Sequence, residues 1–265
     1  GHAVTDLDAD GDSLSVLALW HAVCVAVIVA VYPGRRRCSP VPVAVTGGLS
    51  GAGSITANGT GTAARFNRLN ASAPDNLGNV YVADAKNSVI RRITPAGVVS
   101  TFAGAPSQFG ATDGAGSAAR FFLPYGLAMD ADGNLYVADS GNHVIRKITP
   151  AGVGSTLAGV AQQPGFTDGA GGAARFNSPW GITVDRSGVL FVSDNQNNAI
   201  RRITPAGAVS TLAGSATGAS GSQDGTGGAA RFDQPRGLSI DASGNPPSDS
   251  SKVLVSRALF RILTV

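Results

Sequence analysis

A four-residue phrase, Ala-Ala-Arg-Phe, recurs along the chain at a nearly constant interval. Its four copies begin at Ala63, Ala118, Ala173 and Ala229, which sets successive copies 55, 55 and 56 residues apart. A second phrase, YVAD or FVSD, ends at Asp84, Asp139 and Asp194 and keeps the same step. Self-similarity at a fixed period of this length is the signature of a repeat architecture, so one repeat must be one structural unit.

Within one repeat the sequence predicts four short strands, at about 126–129, 134–138, 144–148 and 154–158. Turn-forming runs at 139–142 and 150–152 separate the later strands. We therefore predict an antiparallel meander of four strands, followed by one helical turn at 173–176. Such a sheet cannot bury both of its faces alone, so neighbouring sheets must stack as the blades of a propeller.

Composition supports many short strands joined by tight turns. The chain has 36 Gly and 14 Pro, only 14% charged residues, and 17 acidic residues that are all Asp. Since Glu and other good helix formers are scarce, a helical bundle is excluded. Cys24 and Cys38 both precede the repeats, so the repeats hold neither a disulfide nor a cysteine metal site. A net charge of +3 does not require an acidic partner.

The order of motifs in each unit, DG, ARF, PxGLAxD, GNLYVAD, NHxIRKITP and STLAG, resembles the NHL repeat of bacterial type over residues 43–265. The resemblance implies an all-β fold, a β-propeller that commonly has six blades, and binding of protein, RNA or glycan ligands. Some relatives are zinc lyases, which need several histidines, or lactonases, which hold calcium with a Glu. The repeats contain only His143 and no Glu. We therefore expect no enzyme, no catalytic residue, no metal and no cofactor.

Two departures from the repeat pattern bear on the number of blades. The first unit has Leu-Asn-Ala at 69–71 in place of Pro-x-Gly, which places its innermost strand in doubt, and the last has Pro and Ser at 246–251 where its second strand should begin. Shifted strands at 252–255 and 258–264 would replace the missing ones. Residues 43–46 align with a fourth strand that would close the ring on the last blade. We favour three to four blades in an incomplete or open ring.

The segment 1–42 forms a separate N-terminal region in this interpretation. Its apolar stretch 14–32 has the length of a membrane span, with a β segment rich in Val as the competing interpretation. The family resemblance favours an extracellular, periplasmic or membrane-anchored protein. If the stretch spans a membrane, however, the cluster Arg35 to Arg37 places the repeats on the cytoplasmic side.

Repeated charges are candidates for chemistry, and each has a structural alternative. Asp84, Asp139 and Asp194 are expected to cap turns rather than bind calcium, and acids before Gly at 113, 168 and 224 are interpreted in the same way. The pairs at 91–92, 146–147 and 201–202 form a basic arc for RNA if exposed, or bond to carbonyls and turn acids if they lie between blades. Strand alternation favours the second arrangement.

The variable position inside the Pro-x-Gly element is the candidate ligand site. Tyr125, Trp180 and Arg236 occupy this position in successive units. Variation at one place within a strict repeat is expected of a binding surface, although packing between inner strands accounts for it nearly as well. We expect a non-catalytic scaffold for protein or carbohydrate ligands. A hydrolase or lyase at the axis, and RNA binding, remain the alternatives.

Overall fold

The structure is a computed structural model that describes residues 56–240 and, outside them, only the backbone of short strands. These outlying strands are β1 (Asp6–Leu7), β2 (Ser13–Leu14), β3 (Val25–Ala26) and β4 (Ala44–Val45) before the described repeats, and β21 (Lys252–Arg257) and β22 (Leu259–Thr264) after them. Strands β1 and β2 pair with each other, as do β3 and β4.

Three complete antiparallel sheets follow one another in the described repeats. The first holds β5 (Gly59–Thr60), β6 (Leu69–Pro74), β7 (Val80–Asp84), β8 (Val89–Ile93) and β9 (Val98–Ala103). The second holds β10 (Gly114–Ala115), β11 (Pro124–Met129), β12 (Leu135–Asp139), β13 (Val144–Ile148) and β14 (Val153–Ala158). The third holds β15 (Gly169–Ala170), β16 (Pro179–Val184), β17 (Leu190–Asp194), β18 (Ala199–Ile203) and β19 (Ala208–Gly214). We call them blades 1, 2 and 3.

Each blade is the predicted four-stranded meander with one short strand added at its outer edge. In blade 2 the order is β11, β12, β13, β14 and then β10, and the other two blades repeat this order. The extra strand arises because the chain runs along the outer edge of a blade before it enters that blade's innermost strand. A fourth sheet contains β20 (Gly237–Ser239), β21 and β22.

Short 3-10 helices punctuate the blades at two places per repeat. One set follows the second strand, at Ala85–Asn87, Ser140–Asn142 and Asn195–Asn197. The other set precedes the Ala-Arg-Phe phrase, at Gly61–Ala63, Gly116–Ala118, Gly171–Ala173 and Gly227–Ala229. The turn predicted at 139–142 is thus confirmed, whereas the helical turn predicted at 173–176 lies two residues earlier. Residues 56–240 contain no α-helix.

The core lies between blades rather than inside one. The innermost strands β6, β11, β16 and β20 lie side by side in chain order. Ile145 of blade 2 and Phe176, Ile182 and Leu190 from the next repeat belong to a single buried cluster, and an equivalent cluster joins blades 1 and 2. Burying a side chain of this size stabilises a fold by about 1.5–3 kcal/mol. Each blade therefore depends on its neighbour for stability.

The structure answers two questions that the sequence left open about the ends of the array. The innermost strand of the first unit forms as β6 although Pro-x-Gly is missing, because Ser72, Ala73 and Pro74 still pair with β7. The strand expected at 43–46 appears as β4, but it pairs with β3 and not with the last sheet. Closure through this strand, the alternative to the open ring that we favoured, therefore does not occur. The shifted strands predicted after residue 251 are confirmed as β21 and β22.

The blades are therefore all-β and stacked, and the described sheets do not close into a ring. No helix among the described residues is long and apolar enough to cross a membrane. The apolar stretch 14–32 and the proposed boundary at residues 42–43 lie almost wholly outside the described residues. The membrane span and the boundary between the two regions accordingly stay predictions.

Candidate ligand-binding site

The three predicted site residues, Tyr125, Trp180 and Arg236, contact one another in a row. A fourth residue, Arg68, lies at the other end of this row. The ring centroids of Tyr125 and Trp180 are 4.2 Å apart with a 40° angle between the ring planes. The guanidinium carbon of Arg236 lies 4.6 Å from the centre of the Trp180 ring system. At the other end, the guanidinium carbon of Arg68 lies 5.4 Å from the centre of the Tyr125 ring. We call these four residues the axial stack.

The innermost strands position the axial stack. Pro124 and Pro179 open β11 and β16 and pair with Asp139 and Asp194, the last residues of the second strands. The residue after each proline therefore lies at the end of the blade that carries the 3-10 helix after the second strand. We call this end of the blades the stack face.

Glycine in the Pro-x-Gly element allows the innermost strands to approach each other. A Cβ at Gly126 would lie 2.2 Å from the carbonyl oxygen of Trp180, and a Cβ at Gly181 would lie 2.0 Å from that of Arg236. Neither distance is sterically allowed, so any side chain there would push the two blades apart. The close approach of the backbones is what brings Tyr125 and Trp180 into ring contact.

Arg68 was not found from the sequence because it occupies a different position of the repeat. It lies two residues before Asn70, the residue equivalent to Tyr125. Its backbone is left-handed, with φ at 60°, and the equivalent Leu123, Ser178 and Gln234 share this conformation. The left-handed residue turns the chain into each innermost strand. No sequence signal singles out Arg68, since the residue at this position differs in every repeat.

Exposure and charge differ along the axial stack. Tyr125 is buried and Trp180 is partly buried, whereas Arg68 and Arg236 are exposed. None of the five ion pairs within residues 56–240 involves either arginine. The stack therefore presents two exposed positive groups, held against aromatic rings, that have no acidic partner in the described part of the chain.

Hydrogen bonds across blade boundaries hold the strand ends beneath the stack. Ser193 Oγ accepts from Gly181 N at 2.7 Å and donates to the Arg236 carbonyl at 2.8 Å. The Ser140 hydroxyl donates to the Pro179 carbonyl, and Asn195 Nδ2 donates to the Pro235 carbonyl at 3.0 Å. Backbone polar groups at the boundary are thus satisfied, which fixes the stack geometry before any ligand arrives.

His143 also joins two blades, which refines the turn role expected for it. It sits at the left-handed end of the Ser140–Asn142 helix, with φ at 61°. Its Nδ1 accepts a hydrogen bond from Ser178 N of the next repeat at 2.9 Å. Asn198 Oδ1 accepts from Gln234 N at the same distance one repeat later. Burial lowers the pKa of His143, which favours the neutral imidazole that this bond requires.

A second aromatic pair extends the stack face toward the rim of blade 2. The rings of Phe109 and Phe122 lie 5.2 Å apart, and Phe109 is 69% exposed. Gly141 lies beneath the Phe122 ring, where a Cβ would come within 2.5 Å of it. The two aromatic groups make blade 2 the most apolar part of this face.

The first arginine of each repeated pair is a structural element. Arg91, Arg146 and Arg201 are fully buried. Arg146 donates to the Arg120 carbonyl at 2.8 Å and to the Thr112 carbonyl at 3.0 Å, and it forms ion pairs with Asp139 at 3.4 Å and Asp113 at 2.8 Å. The expectation that these arginines bond between segments of chain is confirmed. Half of the cations proposed for the basic arc are therefore buried.

The repeated acids are structural, but they do not cap their turns as expected, because Asp84, Asp139 and Asp194 make no side-chain cap hydrogen bond to the 3-10 helix that follows. Asp139 Oδ1 accepts from Phe122 N at 2.8 Å, and Asp194 Oδ1 accepts from Asn177 N at the same distance. Burial raises the pKa of Asp139 to about 7 and that of Asp194 to about 6, although the neighbouring arginines and amides oppose this shift. Asp113 and Asp168, interpreted as local turn acids, instead pair with the buried arginines of their own blades. The aspartate and the arginine of each pair lie more than thirty positions apart in the sequence. Local turn patterns therefore do not reveal the contact.

Within the described residues, no group of three or more His, Cys, Asp or Glu side chains is arranged to hold a metal ion. The repeated acids that lie closest to the stack face are bound to arginine and asparagine side chains. The chemistry available at the stack is therefore ion pairing, hydrogen bonding and apolar contact.

Stacked antiparallel meanders whose innermost strands lie side by side define a repeat protein of the β-propeller type. The family model for the NHL repeat matches residues 123–148 and 176–203.

Known proteins resemble the chain over part of their length. It is 35% identical over 139 residues to Protein SUPPRESSOR OF QUENCHING 1, chloroplastic, of Arabidopsis thaliana, a match covering 49% of this chain and 13% of that protein. It is 32% identical over 143 residues to NHL repeat-containing protein 2 of Homo sapiens, covering 50% and 20%. A solved protein of unknown function from Bacteroides thetaiotaomicron superposes with a TM-score of 0.57 at 26% identity, covering 71% of this chain and 44% of that one. The matches thus span a fifth or less of the two curated relatives.

Proposed function

We propose that the protein is a non-catalytic binding module whose protein or carbohydrate ligand docks on the axial stack. The observation that carries the proposal is the stack itself. Residues from three blades and the fourth sheet meet at one place, and each occupies a position whose residue differs in every repeat. Positions that serve the scaffold, such as the buried arginines, keep one residue type from blade to blade, whereas the stack positions do not.

The energetics of recognition favour such a place. Binding energy concentrates in a few Trp, Tyr and Arg residues that are partly covered by their surroundings. Trp180 and Tyr125 are held rigidly by the blade boundary, so little side-chain entropy is lost when a ligand covers them. Phe109 and Phe122 enlarge the same face with apolar surface.

The alternatives have less support from the geometry. Catalysis at the axis would use acids or bases that are free to exchange protons, but the repeated carboxylates are bound to buried arginines. RNA binding through the arginine pairs would require Arg91, Arg146 and Arg201 at the surface, and all three are buried.

The test is selection of ligands by the full chain from a displayed random-peptide library and from an oligosaccharide array. The selected ligands should bind the Trp180→Ala variant at least about tenfold more weakly, the loss expected for a central aromatic contact of 1.4 kcal/mol or more. Leu77→Ala is the matched control. Leu77 is an apolar residue, 80% exposed, in the turn between β6 and β7 at the opposite end of the blade.

Thermal unfolding of each variant separates loss of binding from loss of fold. The proposal is supported if Trp180→Ala keeps its fold and loses ligand while Leu77→Ala keeps both. The proposal is overturned if the selected ligands bind the folded Trp180→Ala variant as tightly as they bind the unchanged chain. It is also overturned if no ligand is recovered.

A further inference from the structure

We propose that the axial stack binds an extended acidic peptide segment of a protein partner, with two of its carboxylates held by Arg68 and Arg236. This inference rests on the proposed function and narrows it to one class of ligand. It follows from two observations: the faces of the aromatic rings are already in contact with other side chains, and the two guanidinium groups remain exposed.

The flat faces of the aromatic rings are already used. Tyr125 and Trp180 contact each other, and an arginine lies over each ring in turn. A neutral sugar that needs a free ring face finds none here. A nucleic acid base has the same requirement for a stacking platform. What the stack leaves exposed is its edges and the two guanidinium groups.

Each guanidinium group is exposed and has the chemistry to bind a carboxylate. A guanidinium group stacked on an aromatic ring keeps its planar array of N–H donors at the edge, where it matches the two oxygens of a carboxylate. Arg68 and Arg236 are exposed and form no ion pair within residues 56–240. An incoming carboxylate therefore has no internal acid to displace.

The length of the stack sets an upper limit on the spacing of the two carboxylates. The three successive contacts of 5.4, 4.2 and 4.6 Å place the two guanidinium carbons at most about 14 Å apart. An extended peptide rises roughly 3.3 Å per residue, so four residues span about 13 Å and return the side chain to the same side. Acidic residues up to four positions apart, on the same side of an extended peptide, thus fit within the stack, with the residues between them over Tyr125 and Trp180.

Two positive groups at a fixed separation suit a peptide better than a nucleic acid. A phosphate backbone presents a continuous row of charges and is normally met by a longer row of cations. The additional cations that the repeats supply at the first position of each arginine pair are buried. The stack therefore selects for two spaced charges.

The test is a titration of fluorescein-labelled decapeptides with the full chain, followed by fluorescence anisotropy. The probe peptide carries Asp at two positions four residues apart in a Ser/Gly background. One control peptide has Asn at both positions, and a second carries the two Asp residues three positions apart. A single-stranded RNA of similar length serves as the polyanion control.

We expect the probe to bind at least about tenfold more tightly than either control peptide, which corresponds to one charge-assisted contact. Arg68→Gln and Arg236→Gln should each weaken binding of the probe by at least about tenfold, the loss of one charge-assisted contact. Arg186→Gln should leave binding unchanged, since Arg186 is an exposed arginine in the turn between β16 and β17 at the opposite end of blade 3. Binding of the probe should also weaken as salt is raised.

Equal affinity for the Asp and Asn peptides, or no effect of either arginine substitution, would overturn the inference. So would RNA that binds more tightly than the probe and depends on the same arginines. If library ligands still require Trp180 while the acidic probe shows no preference, the proposed function stands and only the acidic ligand is wrong. If no ligand of any kind requires Trp180, both fail.

Discussion

A buried arginine in each blade holds separated pieces of chain together. In blade 2, Arg146 joins the end of β12 to residues of the connection that precedes β11. Its guanidinium carbon also lies 5.1 Å from the centre of the Phe121 ring. A charge this deeply buried is tolerated only because carbonyls and carboxylates surround it.

Replacing Arg146 with Met should therefore lower the free energy of unfolding by about 3–5 kcal/mol, because the Asp139 carboxylate would stay buried without its cation. Lys147→Met is the matched control. This half-buried neighbour points to the other face of β13, and its loss should cost at most about 1 kcal/mol. Urea unfolding of the two variants measures the difference. A similar cost at both positions would show that Arg146 has no special structural role.

His143 gives one blade boundary a dependence on pH. Its neutral imidazole accepts the Ser178 N–H, and burial lowers its pKa below the usual 6.5. The stability that it contributes is therefore present above pH 6.5 and is lost as pH falls through the lower pKa of the folded protein.

The difference in stability between the unchanged chain and His143→Asn isolates this contribution, since every other titrating group is shared. The amide should accept the same hydrogen bond, as Asn198 does one repeat later. The two proteins should be equally stable within about 0.5 kcal/mol at about pH 7.5, and His143→Asn should be more stable by about 1 kcal/mol at about pH 5. A difference that does not change with pH would contradict this account.

At the scale of the elements, the innermost strands determine how closely blades stack. Gly126 and Gly181 lie where the backbone of the next innermost strand approaches most closely. In blade 1 the same position is Ala71, which is partly buried against the cluster between blades 1 and 2. Glycine is therefore required at the boundary between blades 2 and 3 and at the boundary between blade 3 and the fourth sheet. The aromatic part of the axial stack lies at these boundaries.

Gly126→Ala should destabilise the protein by about 1–3 kcal/mol or more, because the added methyl group would overlap the Trp180 carbonyl. Gly154→Ala is a suitable control on the outer strand β14. A Cβ there meets its nearest atoms at 3.5 Å, an ordinary contact, and the equivalent residues of the other blades are Val99 and Val209. Its effect should stay within about 1 kcal/mol. Thermal unfolding distinguishes the two; an equal, small effect would disprove the close approach of β11 and β16.

At the scale of the whole molecule, the repeat register predicted most of the fold. The strands, the turns after the second strand and the stacking of blades follow from local pattern and from the need to bury both faces of each sheet. β6 formed despite lacking Pro-x-Gly because pairing with β7 and contact with β11 are sufficient. The open ring agrees with the prediction of an incomplete array, whereas the pairing of β3 with β4 joins distant segments and could not be predicted.

The candidate site was predictable in part for the same reason. Tyr125, Trp180 and Arg236 share one register position, and equivalent positions of stacked blades must be neighbours. Arg68 occupies a different position of the repeat. Its own backbone is left-handed, and no sequence signal marks that conformation. The partners of Asp113 and Asp168 were missed because their arginines lie more than thirty residues further along the chain.

The most direct test of the central claim, that ligands dock on the axial stack, is hydrogen exchange followed by mass spectrometry. The full chain would be measured with and without the tightest peptide or oligosaccharide recovered by selection. We expect slower exchange at the chain entries to the innermost strands, at about residues 68–70, 124–126, 179–181 and 235–238. Protection confined to the outer strands β14 and β19, with none at the innermost strands, would contradict the account.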